Sequence, residues 1–123
     1  MIKLKSLLIE ATIACGECLS YAWKMGIINQ DNKQANKKMK IVYGTVQNDW
    51  ISKGKRYRHA WVEDGNLVKD WQTMKAGSSK YAGKGWPKRE YYKTWNPKVD
   101  KKFTPAEVAE NWKKKKTIMG WDW

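Results

Sequence analysis

The chain has 123 residues, room for one domain, and 41% of them are hydrophobic, enough to build a core. Lys and Arg number 25 against 12 Asp and Glu, a net charge of +13 with the single His neutral. Nine Trp argue against a disordered basic tail, and one His excludes an all-histidine metal cage. So positive a chain favours anionic partners: nucleic acid, an acidic protein face or an anionic membrane surface.

Residues 1–10 have only a superficial likeness to a signal peptide: the apolar run is short, Glu10 interrupts it and no Ala-x-Ala-like site follows. No run approaches the roughly eighteen apolar residues of a membrane span. A cytoplasmic location is expected, and the close pair Cys15 and Cys18 fits it as a poor disulfide staple. Residues 6–28 read as helical, with Leu7, Leu8, Ala11 and Ala14 on one stripe. Gly16 should divide this helix, and the second piece carries Leu19, Ala22, Trp23 and Ile27 at spacings of three and four, with Gly26 weakening its last turn. A solvated connection with a helical turn follows over 29–38.

Residues 41–46 predict a strand, and 48–54 a loop. Residues 57–63 and 66–71 predict two more strands joined by Asp64-Gly65, a hairpin signal for a two-residue type I′ turn. That turn sets Glu63 opposite Asn66 and, counting back, His59 opposite Asp70. The stretch 75–102 reads as basic and irregular, punctuated by Trp86, Tyr91, Tyr92 and Trp95. Thr104 as N-cap, Pro105 at N1 and Glu107 at N3 then start a helix running to about Trp112.

The scarcest residues carry the chemistry. Cys18 sits near a helix N-terminus, where unpaired amides and the helix dipole favour a thiolate and supply oxyanion donors. His59 is the single histidine, and an acid opposite it, Asp70, would orient its ring toward a thiol. Cys15-x-x-Cys18 also has the spacing of a redox pair, but such pairs follow a strand and this one follows a predicted helix. A zinc site would need two more ligands. Neither a metal nor a cofactor is expected, and Cys15 is expected to pack beside the nucleophile.

The segment Cys15-Gly16-Glu17-Cys18-Leu19-Ser20-Tyr21 resembles the nucleophile region of papain-like cysteine proteases. Arg58-His59-Ala60-Trp61-Val62-Glu63 resembles the histidine strand of the transglutaminase-like branch, and Asp70-Trp71-Gln72-Thr73 the aspartate that follows there. The likeness covers residues 12–73. It departs from the family in having no oxyanion Gln shortly before Cys18 and no proline after Asp70. The resemblance implies an α+β fold with a papain-like (transglutaminase-like) core, the nucleophile helix packed on a small antiparallel sheet. It implies a Cys18–His59–Asp70 triad acting on an amide, isopeptide or thioester bond of a protein or peptide substrate, by hydrolysis or acyl transfer. The expected organisation is a single domain over 1–123, with a catalytic core at about 6–73 and a basic, aromatic-rich extension at about 74–123 packed on it.

Trp61, Trp86 and Trp95 are the substrate-binding candidates, and the positive charge suits an acidic substrate. Two alternatives stand beside this reading. One is a small basic nucleic-acid-binding protein of phage or bacterial type, in which Lys84, Lys88, Arg89 and Lys93 neutralise phosphates and interleaved aromatics stack on bases. No known recognition motif accompanies them. The other is an inactive papain-like scaffold that mediates protein interaction.

Overall fold

Two long strands with apolar residues on both faces form the centre of the sheet: β1 (Met39–Gln47) and β2 (Arg56–Asp64). The computed structural model describes residues 16–47, 54–72, 85–120 and 123. The predicted helical stripe before Gly16 and the loop residues 48–53 lie outside the described residues.

Helix α1 (Gly16–Ile28) runs without a break through Gly26. A Cβ on Gly26 would come within 2.9 Å of Val108 Cγ1, so this glycine serves a close helix crossing and does not end the helix. Helix α2 (Lys33–Lys38) is the turn expected in the polar connection, started by Asn32, whose side chain accepts from the Ala35 amide. β3 (Leu67–Lys69) and β4 (Trp86–Pro87) follow, then α3 (Lys88–Trp95), β5 (Lys98–Phe103) and α4 (Pro105–Lys115). Among the described residues this is an α+β fold, with five antiparallel strands in the order β4-β3-β2-β1-β5 and four helices.

Helices cover both faces of the sheet. On one, Leu19 and Ala22 of α1 and Val108 of α4 pack on Met39, Ile41, Tyr43, Ala60 and Val62. On the other, Tyr91 and Trp95 of α3 pack on Val42, Val46, Tyr57, Trp61 and Val68. Each strand therefore divides its residues by parity, as the two-residue period requires. The helix expected at Thr104 forms with the full reciprocal cap of Thr104 and Glu107, and runs beyond Trp112 to Lys115.

Two expectations need correction. The stretch read as irregular contains α3 and β5. Tyr91 and Trp95 lie four apart, a helical spacing, and Asn96 ends the helix in the left-handed region. β5 is an exposed, lysine-rich edge strand without the apolar alternation that would announce it; its charges guard the edge against further pairing. Where it meets β1 the register shifts at Gly44, and a Cβ there would overlap the Lys98 carbonyl oxygen.

The hairpin turn is Gly65-Asn66 instead of Asp64-Gly65. The ladder pairs Asp64 with Leu67, Glu63 with Val68 and Val62 with Lys69. Gly65 has φ of 61°, and Asn66 does not share its left-handed backbone. Glycine at the first central position is the pattern of a type II′ turn. A type I′ turn would have forced Asp64 to positive φ. Here Asp64 stays in the strand and pairs with Met39 as well as Leu67.

Candidate active site

Cys18, His59 and Asp70 come from three separate segments of the chain and are all fully buried. Cys18 lies in the first turn of α1, one residue before the core residue Leu19. His59 lies in the middle of β2, between the rings of Tyr57 and Trp61 on the same strand face: Tyr57 meets it edge-on at 5.6 Å and Trp61 stacks at 6.0 Å. Asp70 is the first residue past β3, where the chain leaves the ladder and Trp71 and Gln72 turn helical. The observed register, extended one residue, sets Trp61 opposite Asp70. Sliding by two residues preserves side-chain parity, so Asp70 still reaches His59 along the diagonal.

The contact is direct: His59 Nε2 lies 2.6 Å from Asp70 Oδ2. The same oxygen accepts the Tyr91 hydroxyl at 2.6 Å, and Asp70 Oδ1 accepts the Gln72 backbone amide at 2.8 Å. A carboxylate surrounded by these donors fixes the His59 tautomer with its proton on Nε2. His59 Nδ1 is then the basic nitrogen, and it is buried with no hydrogen-bond partner among the described residues. The Cys18 sulfur is 4.0 Å from Asp70 Oδ1. One donor atom from each of Cys18, His59 and Asp70 lies within 4.8 Å of the others.

Phenols ring the carboxylate. Burial, and after it the charge of Asp70, push the hydroxyls of Tyr21, Tyr57 and Tyr91 above their ordinary range, so they remain protonated. Tyr57 donates to Gln72 Oε1 at 2.6 Å and so holds the residue whose amide holds Asp70. The three clustered donor types also invite a metal reading. His59 Nε2 and Asp70 Oδ2 are bonded to each other, so those two atoms do not converge on a common ion.

Cys18 is disulfide-bonded. Cys15, the one other cysteine of the sequence, lies outside the described residues. The expected packing of Cys15 beside the nucleophile therefore falls outside the described residues, while Cys18 itself is not a free thiol in this structure. The bond removes one of the grounds on which a cytoplasmic location was expected, the reading of the cysteine pair as a poor staple. Among the described residues no helix is long and apolar enough to cross a membrane. One consequence is directly measurable: an electrophile such as iodoacetamide should leave Cys18 unlabelled until a dithiol reductant is added, as peptide mapping would show.

The other candidates fall elsewhere. Trp61 and Trp95 are buried in the cluster beneath the site, and Trp86 packs edge-on against Tyr91 and Trp95. Lys88 pairs with Glu63, Arg89 and Lys93 are exposed, and Lys84 lies outside the described residues. The rings of Tyr91 and Trp95 face the core and offer no surface to a base. The half-exposed rings next to the triad in sequence are Tyr21 and Trp71, 5.8 Å apart, and Trp71 Nε1 donates to Glu17 Oε2 at 2.7 Å. Sequence reasoning missed Tyr91; its signal was the four-residue spacing to Trp95.

No family model, no curated protein and no solved structure matches the chain.

Proposed function

We propose that the reduced protein is a cysteine-dependent hydrolase or acyltransferase of papain-like, transglutaminase-like type. Its substrate would be an amide, isopeptide or thioester bond in a protein or peptide. The observation that carries this reading is the buried pairing of His59 Nε2 with Asp70, which leaves Nδ1 without a partner among the described residues, in a cluster that includes Cys18.

In this mechanism the His59 ring nitrogen not held by Asp70 takes the Cys18 thiol proton. The thiolate adds to the substrate carbonyl, and the Cys18 amide, in the first turn of α1, donates to the oxyanion. Collapse of the tetrahedral adduct expels the amine or thiol leaving group, which takes the proton from His59. Water, or an acceptor amine, then gives a proton to His59 and attacks the thioester, and that proton returns to the Cys18 sulfur as the acyl group departs. Asp70 keeps the imidazole in one tautomer throughout. The +13 charge draws an acidic substrate toward the protein. Because the triad is buried, substrate entry requires a covering side chain to move.

The deciding experiment measures labelling of reduced Cys18 by iodoacetamide across pH, with Cys15 read separately by mass mapping. Cys18 should react at lower pH than an ordinary thiol, and His59→Ala should slow it by at least about 10²-fold. Equal labelling of the two proteins would leave the scaffold reading standing and sink the enzyme.

A further inference from the structure

Asp70 does not serve His59 alone. Its Oδ2 is shared between the His59 ring and the Tyr91 hydroxyl, each at 2.6 Å. We propose that Tyr91 is a positioning residue of this site, which tunes how strongly Asp70 holds the protonated His59 ring. The inference deepens the proposed function and rests on it for its catalytic meaning, though its physical core is the three-way contact alone.

Tyr91 is fully buried and comes from α3, the helix on the sheet face opposite the α1 core. It is therefore not a consequence of how the nucleophile is mounted. Its ring is clamped by stacking on Trp95 at 6.0 Å and by Trp61 at 5.9 Å, and Trp61 in turn stacks on His59. One aromatic column thus fixes both donors to Asp70 Oδ2. A phenol so held cannot swing to another acceptor. Burial and the neighbouring carboxylate keep it protonated, so it stays a donor across the working range.

The consequence has a sign. A donor on Oδ2 disperses the carboxylate charge that would otherwise face His59. Without the phenol that charge bears on the ring alone, and the imidazolium is held more strongly. The titratable groups facing the Tyr91–Asp70 contact are His59 and Tyr57 from β2, Cys18 and Tyr21 from α1, and Tyr92 from α3 itself. Of the two other phenols on β2 and α3, neither is free to replace the lost donor, since Tyr57 is committed to Gln72 and Tyr92 to Glu63.

The test uses the full chain, reduced, with Tyr91→Phe and the control Tyr92→Phe, which removes a phenol from the same helix but one bonded to Glu63. Two readouts are taken: the pH profile of Cys18 labelling, and the NMR resonance of the His59 ring N–H, unambiguous because the chain has a single histidine. Tyr91→Phe should move the alkaline limb of the profile up by roughly one pH unit and move the ring N–H resonance downfield. Tyr92→Phe should do neither, even if it lowers the melting temperature as much. An unchanged resonance and limb in Tyr91→Phe, or equal shifts in both variants, would overturn the proposal. A shifted resonance in a protein whose Cys18 labels like an ordinary thiol would uphold Tyr91 as the tuner of Asp70 and His59 and sink the enzymatic reading instead.

Discussion

Asp70→Ala should both destabilise the protein and leave reduced Cys18 no more reactive than an ordinary thiol. Truncation strips the acceptor from the His59 ring, the Tyr91 hydroxyl and the Gln72 amide at once, around a residue with no solvent exposure. Removing one partner of a buried, charged hydrogen-bond cluster costs on the order of 3–5 kcal/mol, a large share of the roughly 5–15 kcal/mol that holds a domain folded. Asp70→Asn separates the two effects. It fills the same space and keeps one acceptor oxygen, but its NH2 must face either the Gln72 amide or the His59–Tyr91 pair. Urea melts should show a cost of about 1–3 kcal/mol, and Cys18 labelling should fall on the order of 10²–10⁴-fold because the ring is no longer held in one tautomer. An Asn variant that labels as fast as the parent would remove Asp70 from the mechanism.

The site was more legible than the sheet around it, for a reason that lies in strand periodicity. The Asp-Gly signal located the hairpin between the right strands but assigned the wrong pair of turn residues. The choice between type I′ and II′ turns depends on whether Asp64 accepts positive φ, and its pairing with Met39 on the far side of β2 decides that. A long-range contact of this kind leaves no local mark. The resulting error is two residues in pairing and none in side-chain parity, so the association of His59 with Asp70 survived it. Tyr91 could not be found in the same way, because the segment around it is dominated by lysines and glycines. The helical spacing of Tyr91 and Trp95 emerges only once Pro87 and Asn96 are recognised as its ends.

The tryptophans teach a related lesson. Trp86 and Trp95 stand among charged residues in the sequence and so read as rings for a cleft or partner surface, and Trp61, a core or half-core residue by its surroundings, joins them as a substrate-binding candidate. In the fold they belong to one cluster with Tyr57 and Tyr91, packed between the sheet and α3. A short chain with one Phe has few other large apolar residues from which to build that second core layer. The lysines around them stay near the surface because long stems carry the charge past the apolar layer. Alternation of basic and aromatic residues is what one buried helix face and one wet face produce. It therefore carries little weight for nucleic-acid binding on its own.

Glu63→Ala should be among the costly changes outside the triad. Glu63 is a buried acid on the His59 face of β2. Its Oε2 accepts from Trp61 Nε1 at 3.1 Å and from the Tyr92 hydroxyl, and its Oε1 meets Lys88 at 3.2 Å and Lys102 at 3.3 Å. One carboxylate thus ties β2 to α3 and β5 and fixes the indole that stacks on His59. Truncation to Ala should cost about 3 kcal/mol, the low end for a broken buried pair because both lysines still reach solvent. Burial pushes the Glu63 carboxyl up, but the hydrogen bonds from Tyr92 and Trp61 and the charges of Lys102 and Lys88 outweigh it and hold the group below its usual range. A carboxyl lowered on folding adds stability above its unfolded value of about 4.3, and that stability is lost as pH falls through the lower folded value. Glu63→Gln should therefore be less stable than the parent at neutral pH, and the gap should close as the solution is acidified below about pH 4.3. Melting temperatures of the two proteins between pH 7 and pH 3 would decide it; parallel curves would mean that the lysines and phenol do not hold the ionised form.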